Sequence, residues 1–268
     1  MPHPSLLSVP EVLGAVDWVA AGSAHGPIAV LPLGAYEQHG PHLPFATDSL
    51  IAAGLVARLR GRVAAAGLHV GFLPVEPIGY SIEHGFAPGT RSLEHGEAIE
   101  RWLAIAEALQ AQGVDKLLML NAHGGNAPLM TIVATEARVR FSMLAVATHW
   151  LRFGVPEGWM TPQDKAIDIH AGEIETAMML ALHPELVDRD KARDFPSRQR
   201  DFAARFTHLR AYGPHAFGWT MADLNREGAA GNAAAATAKK GEALIDHAVQ
   251  GLLELLMDID AFDPAEFA

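Results

Sequence analysis

The sequence predicts a three-layer α/β/α fold with a mainly parallel central sheet, and three observations lead there. Between residues 28 and 148, short apolar runs of strand length alternate with longer segments whose apolar residues recur at helical spacing. The strand-like runs are apolar at successive positions, the mark of strands covered on both faces. The chain has 268 residues, 50% hydrophobic and 19% charged, enough to bury a sizeable core and unlike a disordered polymer. No internal repeat or linker-like stretch interrupts it, so one domain over 1–268 is expected.

Each element has a local reason. A helix over 10–21 follows from Ser8 near a capping position and Gly22 as a stop. The run Ile28-Ala29-Val30-Leu31-Pro32-Leu33-Gly34 reads as a buried strand in which Pro32 demands an irregularity or an edge. Over 48–66, Leu50, Ile51, Leu55, Val56, Leu59 and Val63 recur at helical spacing. The alternation continues with strand 69–75, helix 93–112 stopped by Gly113, strand 116–120, helix 128–139 and strand 143–148. Beyond His149, a stretch rich in Pro, Gly and Trp leads to a helix over 172–182, stopped by His183-Pro184. Residues 185–232 carry no readable pattern, a helix over 233–257 follows, and the acidic end from Asp258 is expected to fray.

Composition narrows the chemistry. The absence of cysteine excludes disulfides, thiolate zinc sites, iron-sulfur clusters and a cysteine nucleophile, so any metal must sit on nitrogen and oxygen. The net charge of -11, from 20 Lys+Arg against 31 Asp+Glu, repels phosphate backbones and anionic lipid. Neither nucleic acid nor a membrane is an expected partner. No Lys or Arg precedes Arg58, and no apolar run reaches the roughly 18 residues of a spanning segment, so a cytoplasmic protein is expected.

Three polar clusters follow strand-like or loop segments, where α/β folds keep their sites. The first is Gly34-Ala35-Tyr36-Glu37-Gln38-His39-Gly40-Pro41-His42-Leu43-Pro44-Phe45-Ala46-Thr47-Asp48. In extended backbone Glu37 and His39 project to one side and can share a ligand, whereas a helix would turn them apart. Asp48 opens the next helix, either as a ligand or as a simple cap. The second cluster is Asn121-Ala122-His123-Gly124-Gly125-Asn126. Its two glycines suit a close backbone approach, a phosphate cradle would want the P-loop lysine that is missing, and His123 is either a ligand or a turn residue. The third runs Asp168-Ile169-His170-Ala171-Gly172-Glu173-Ile174-Glu175-Thr176. Glu175 shares a helix face with the apolar Met178 and Met179 and there needs a cation, while Glu173 aligns with Ala177. Both glutamates also suit the positive end of the helix dipole.

Charge balance bears on the metal count. Glu37, Asp48 and Glu175 bring three negative charges while His39 and His123 bring none, so two divalent ions with one bridging hydroxide come out neutral. Such donors suit Zn, Mn or Fe(II). A hydroxide activated by two metals is what amide hydrolysis requires.

These three clusters, in their order and spacing over about residues 25 to 255, resemble the creatininase (creatinine amidohydrolase) family. The resemblance implies the three-layer fold, a dinuclear metal centre and a cyclic homo-oligomer, expected to be hexamer-like. It also implies a small-molecule amide substrate with a cyclic amide, formamide or small peptide-like C-N bond. By position, Glu37, His39, Asp48 (bridging) and His123 match the family's metal ligands, and His170 matches a histidine near the substrate. His170 or Glu173 is expected to pass a proton to the leaving nitrogen. Trp150, Ser81 and Gly89-Thr90 fall where the pocket wall would be. The chain also departs from creatininase proper, which has a glutamate ligand two residues after the histidine matched by His123 and an acidic residue just before the one matched by His170. Here Gly125 and Ile169 stand at those positions. The fifth ligand is therefore expected from elsewhere, Glu175 first and Glu173 second, and creatinine is not the expected substrate.

Outside the clusters, His84 and His149 are read either as cleft residues or as hydrogen-bonded packing residues. Trp150, Trp159 and Trp219 are read as walls for a flat ring or as ordinary buried surface. Residues 212–232 are read as a mobile lid, a subunit contact or a plain loop. Two other functions stay open: a catalytically inactive metal-containing binding or assembly protein, and a metal-dependent phosphoester or sugar hydrolase. Phosphoester chemistry would favour Arg or Lys, which the three clusters lack.

Overall fold

Strand β2 (Ile28–Leu33) is buried along its whole length, and its alternating side chains enter two different cores. The computed structural model describes residues 4–19 and 25–263. On one face, Ile28 and Val30 pack with helices α2 (Thr47–Ala65), α6 (Glu173–Leu182) and α9 (Ala238–Ala261). On the other, Ala29, Leu31 and Leu33 pack with α1 (Val9–Gly14), α3 (His95–Gln110) and α4 (Ala127–Phe141). This is the expected three-layer arrangement.

The sheet order is β1-β3-β2-β4-β5, with β1 at Asp17–Val19, β3 at Val70–Phe72, β4 at Lys116–Asn121 and β5 at Leu144–His149. Within this sheet the β1–β3 pair is antiparallel, whereas β2–β3, β2–β4 and β4–β5 are parallel. Pro32 sits inside the central strand, and the neighbouring chain supplies the irregularity. The Val30 carbonyl accepts from Leu73 N and the Pro32 carbonyl from Glu76 N, both at 2.9 Å, so one extra residue bulges out where Pro32 has no N–H to give.

Three expectations are corrected. The helix expected over 10–21 ends at Gly14, and Asp17–Val19 is instead an edge strand; positions 20 and 21 lie outside the described residues. A capping box between Ser8 and Glu11 starts that short helix, and Gly71 leaves room for the Trp18 ring to lie against the sheet edge. The last helix begins at Ala238, capped by Thr237, after a 3₁₀ turn at Ala233–Ala235. It also continues to Ala261, because buried Lys116 donates to the Asp260 carbonyl at 2.8 Å and holds an end expected to fray. Apart from α6, which meets the helix expected over 172–182, the stretch from 149 to 232 folds into short pieces that include α5 (Pro162–Ile167), β6 (Asp194–Phe195), α7 (Gln199–Arg205), α8 (Met221–Leu224) and β7 (Gly231–Asn232). Pieces this short leave no periodicity to read.

Gly241 of α9 rests against α6, where an added Cβ would collide with the Ala177 carbonyl oxygen and lie 2.8 Å from Ala181 Cβ. Alanine gains about 1 kcal/mol of helix propensity over glycine, but here the helices must separate, and overpacking costs about 1–3 kcal/mol. Gly241→Ala is expected to lower stability in urea melts. Gly61→Ala, in α2 with nothing within 4 Å of the new Cβ, is expected to raise it by roughly 0.5–1 kcal/mol. Stabilisation by both changes would contradict the close α6–α9 contact.

Candidate functional site

The chain leaves β2 for β3 on one side and then crosses to β4 on the other, which opens a crevice at the carboxyl ends of β2 and β4. Glu37 and His39 lie in the loop after β2, Asp48 in the first turn of α2, and His123 just beyond β4. Two asparagines stitch these loops together. Asn121 Oδ1 accepts from His123 N at 3.0 Å and from Asn126 Nδ2 at 3.1 Å. Asn126 Nδ2 also donates to the Gly34 carbonyl at 3.0 Å, and Asn126 Oδ1 accepts from Tyr80 N at 2.9 Å. Gly79 permits this approach, since a Cβ there would run into the Asn126 amide. From the opposite side Asp168 caps α6, accepting from Glu173 N at 2.6 Å and Ile174 N at 3.3 Å, which sets the loop that carries His170.

Three imidazoles commit one ring nitrogen to a backbone carbonyl. His39 Nδ1–H donates to Glu37 O at 3.0 Å, His123 Nε2–H to Tyr80 O at 2.9 Å, and His170 Nε2–H to Gln38 O at 2.7 Å. These tautomers follow from the partners. Each ring then turns its other nitrogen toward carboxylates. His39 Nε2 lies 3.2 Å from Asp48 Oδ1 and 3.8 Å from Glu175 Oε2. His123 Nδ1 lies 3.2 Å from Glu37 Oε2 and 3.4 Å from Asp48 Oδ2, and His170 Nδ1 lies 3.6 Å from Glu37 Oε1. A bare nitrogen facing a carboxylate oxygen is lone pair against lone pair, unless a proton or a cation stands between them.

Burial sharpens the demand. Glu37 and His39 are 0% exposed and Asp48 1%. Glu37 Oε1 and Asp48 Oδ2 are buried with no hydrogen-bond partner, an unfavourable state for a carboxylate without a counter-charge. Burial alone would push the His39 imidazole down, but Asp48, then Glu175 and Glu37, lift it to about 9. Burial likewise opposes protonation of His123, yet Glu37 and Asp48 hold it well above the usual histidine range. His170 behaves differently: burial, then the charge on His39, lowers it to about 4.

The donor set therefore fits a divalent cation on nitrogen and oxygen. Among the described residues, donor atoms of Glu37-His39-Asp48, Glu37-Glu83-His123, Glu37-His84-His170 and His39-His170-Glu175 each gather within 4.8 Å of one another. The two oxygens of Asp48 face different histidines, so the cluster has a His39 side and a His123 side. Imidazoles oriented by backbone carbonyls are the usual outer support of metal ligands.

The cluster forms the floor of a cleft of about 470 Å³. Its upper walls are apolar and aromatic, from Tyr80, Ile82, Ile169, Tyr212, Phe217 and Trp219, and among the described residues neither Lys nor Arg lines it. Trp219 Nε1 donates to the Ala211 carbonyl at 2.7 Å, which fixes the wall segment.

Of the residues expected from the sequence, Glu37, His39, Asp48, His123, His170 and Glu175 meet here. Glu173 does not. Its carboxylate, expected as proton carrier or second-choice ligand, turns to Lys240 Nζ and is absent from the cleft lining. Ser81 donates to Glu37, and His84 Nε2 lies 3.4 Å from Glu37 Oε1, so both belong to the site. His149 sits at the end of β5, stacked on Trp150, with its Nδ1 accepting from Leu151 N at 3.1 Å. Trp219 lines the cleft, whereas Trp150 is buried in the core and Trp159 lies under Lys240. Gly89 and Thr90 do not line it; Thr90 Oγ1 instead accepts from Gln38 N at 3.2 Å. Sequence reasoning missed Glu83, whose Oε1 is 3.4 Å from His123 Nε2. Its signal was an acidic residue beside His84 in the loop after β3.

The chain is similar to several known proteins. The mycofactocin precursor peptide peptidase of Mycolicibacterium smegmatis is 30% identical over 227 residues, covering 84% of this chain and 82% of that one. The Mycobacterium ulcerans peptidase of the same name is 33% identical, and the match spans 62% of each chain. Creatinine amidohydrolase of Pseudomonas putida is 27% identical over 90% of this chain and 91% of its own. Among solved structures, a zinc-zinc form of a creatininase point mutant superposes with a TM-score of 0.71 at 25% identity, covering 91% of this chain and 95% of that one. The family model for creatininase, described as creatinine amidohydrolase, matches residues 16–256, and the chain belongs to the creatininase family.

Proposed function

We propose that the protein is a metal-dependent amidohydrolase that cleaves a C-N amide bond in a small, uncharged substrate: a cyclic amide, a formamide or a short peptide-like molecule. The observation that carries this reading is the convergence of His39, His123 and His170 on the buried carboxylates of Glu37 and Asp48 at the floor of the cleft, where Glu37 Oε1 and Asp48 Oδ2 have no hydrogen-bond partner. In the proposal Glu37, His39, Asp48, His123 and Glu175 hold two divalent ions of the Zn, Mn or Fe type. When bound, such a pair supplies hydroxide near neutral pH and polarises an amide carbonyl.

The protein's own groups divide the remaining work. Glu175 is held in place by the Ala171 N–H at 2.7 Å, on the His39 side. His170 keeps Nε2–H on the Gln38 carbonyl and presents Nδ1 toward the cleft, so it can take up a proton and pass it to the leaving nitrogen. The aromatic walls suit a flat or apolar acyl group and exclude water around it. The absence of a lining cation argues against a phosphorylated substrate. The proposal extends to a cytoplasmic, hexamer-like homo-oligomer, to be checked by light scattering.

The primary test is metal analysis of the purified protein joined to a turnover screen over lactams, formamides and short peptides. Turnover of phosphoesters alone would overturn the reaction class. Glu37→Gln, Asp48→Asn and His123→Ala are each expected to lose bound metal and at least ~100-fold of activity while keeping the helical circular dichroism. Retention of full metal by all three would refute the assignment.

Chelation should leave the carboxylates uncompensated. At metal 100-fold above Kd each site contributes about 2.7 kcal/mol, so removal is expected to lower Tm by roughly 5 °C or more and readdition to restore it. An unchanged Tm would count against a structural hold on metal. Trp219→Ala removes cleft wall without touching the floor. It is expected to raise KM by ~10-fold with kcat within about threefold, and the reverse split would place Trp219 in the chemistry.

A further inference from the structure

Asp48 divides the cluster into two sides that are unequally equipped. On the His39 side, Oδ1 faces His39 and the Glu175 carboxylate stands beyond it. On the His123 side, Oδ2 and Glu37 Oε2 face His123 Nδ1, and the loop after β4 offers no terminal carboxylate, since position 125 is glycine. A Cβ at Gly125 would stand 2.5 Å from His123 Nε2 and 2.6 Å from Glu83 Oε1, and would also press on the Tyr80 carbonyl. The Glu83 carboxylate thus reaches the space in which a side chain at 125 would begin. A side chain at 125 would therefore need the Tyr80 main chain, the His123 ring and the Glu83 carboxylate all to shift.

Building on the metal-dependent reading above, we propose that Glu83 is the terminal carboxylate ligand on the His123 side, delivered by the 3₁₀ turn Ile82–His84 in place of a residue at position 125. Three observations carry this. Oxygens of Glu83 and Glu37 and a ring nitrogen of His123 gather within 4.8 Å of one another. Glu83 lines the cleft with its side chain 16% exposed, and no Lys or Arg lines that cleft to neutralise it. A role limited to orienting His123 is already filled, because Nε2–H donates to the Tyr80 carbonyl at 2.9 Å whereas Glu83 stands at 3.4 Å. The same turn brings Ser81 and His84 onto Glu37, so the loop after β3 acts as a third arm of the site, alongside those after β2 and β4. The ligand class is a divalent cation that accepts mixed oxygen and nitrogen donors.

The experiment measures metal content and affinity, independently of turnover. Purified protein, Glu83→Gln, and Glu83→Ala with and without Gly125→Glu are stripped and titrated with zinc, and cobalt-loaded samples are followed by their visible absorption. The unmodified chain is expected to bind two equivalents. Glu83→Gln, which preserves shape, should bind the second at least ~10-fold more weakly, with one of two cobalt environments altered. Adding Gly125→Glu to Glu83→Ala should recover part of the loss. Two equivalents at unchanged affinity and spectrum in Glu83→Gln would overturn the role of Glu83 while leaving the metal reading intact. No bound metal in the unmodified chain would overturn both. Circular dichroism of each variant separates ligand loss from unfolding, and if Glu83→Gln unfolds, Glu83→Ala decides: one tight equivalent in the folded variant supports the role of Glu83 and two at unchanged affinity refute it.

Discussion

The confrontation of imidazole nitrogens with buried carboxylate oxygens is the constraint on which the structure turns. His39, His123 and His170 each give away one ring N–H to the backbone, so their remaining nitrogens meet Asp48 and Glu37 as acceptors meeting acceptors. In a low-dielectric interior that arrangement holds only with positive charge inside it. The raised His39 and His123 express the demand as protons; a divalent cation would satisfy it with better geometry.

The fold exists around this demand in a specific way. A sheet packed on both faces is rigid, and its parallel strands deliver all their following loops to one edge. Asn121 and Asn126 then tie the loops after β2, β3 and β4 through their side-chain amides, which accept from the His123 and Tyr80 N–H groups, donate to the Gly34 carbonyl and bond each other, so carboxylates from separate segments are held close despite their repulsion. Asp168 performs the matching task at α6, where Gly172 leaves the space its carboxylate needs.

Charge is concentrated at the floor and removed from the walls. Within the cleft the acidic groups are Glu37, Asp48, Glu83 and Glu175, and Tyr212, Phe217 and Trp219 form uncharged walls beside them. A neutral amide with an apolar or flat flank matches such a container. The exchange of a side chain at position 125 for Glu83 keeps a carboxylate beside His123 while moving its attachment from the β4 loop to the β3 loop.

Much of this was legible along the chain. Helical spacing and continuous apolar runs specified the alternating core and three-layer class, because burial on one or two faces writes directly into residue order. The pairing of Glu37 with His39, the opening position of Asp48 and the placement of His123 were readable because ligand-bearing loops sit next to strand ends. Short pieces such as Asp17–Val19 and the segments between 185 and 232 were not, since pieces of two to seven residues are too short to show a period. The fate of the two glutamates of α6 was also decided in three dimensions: Glu175 turns toward His39, while Lys240, 67 residues away in sequence, draws Glu173 aside. The sequence by itself determined which side chains could bind a cation and in what architecture. Only the tertiary structure decided which of them meet, because convergence of distant loops depends on packing and on hydrogen bonds between segments, neither of which has a signature in local residue order.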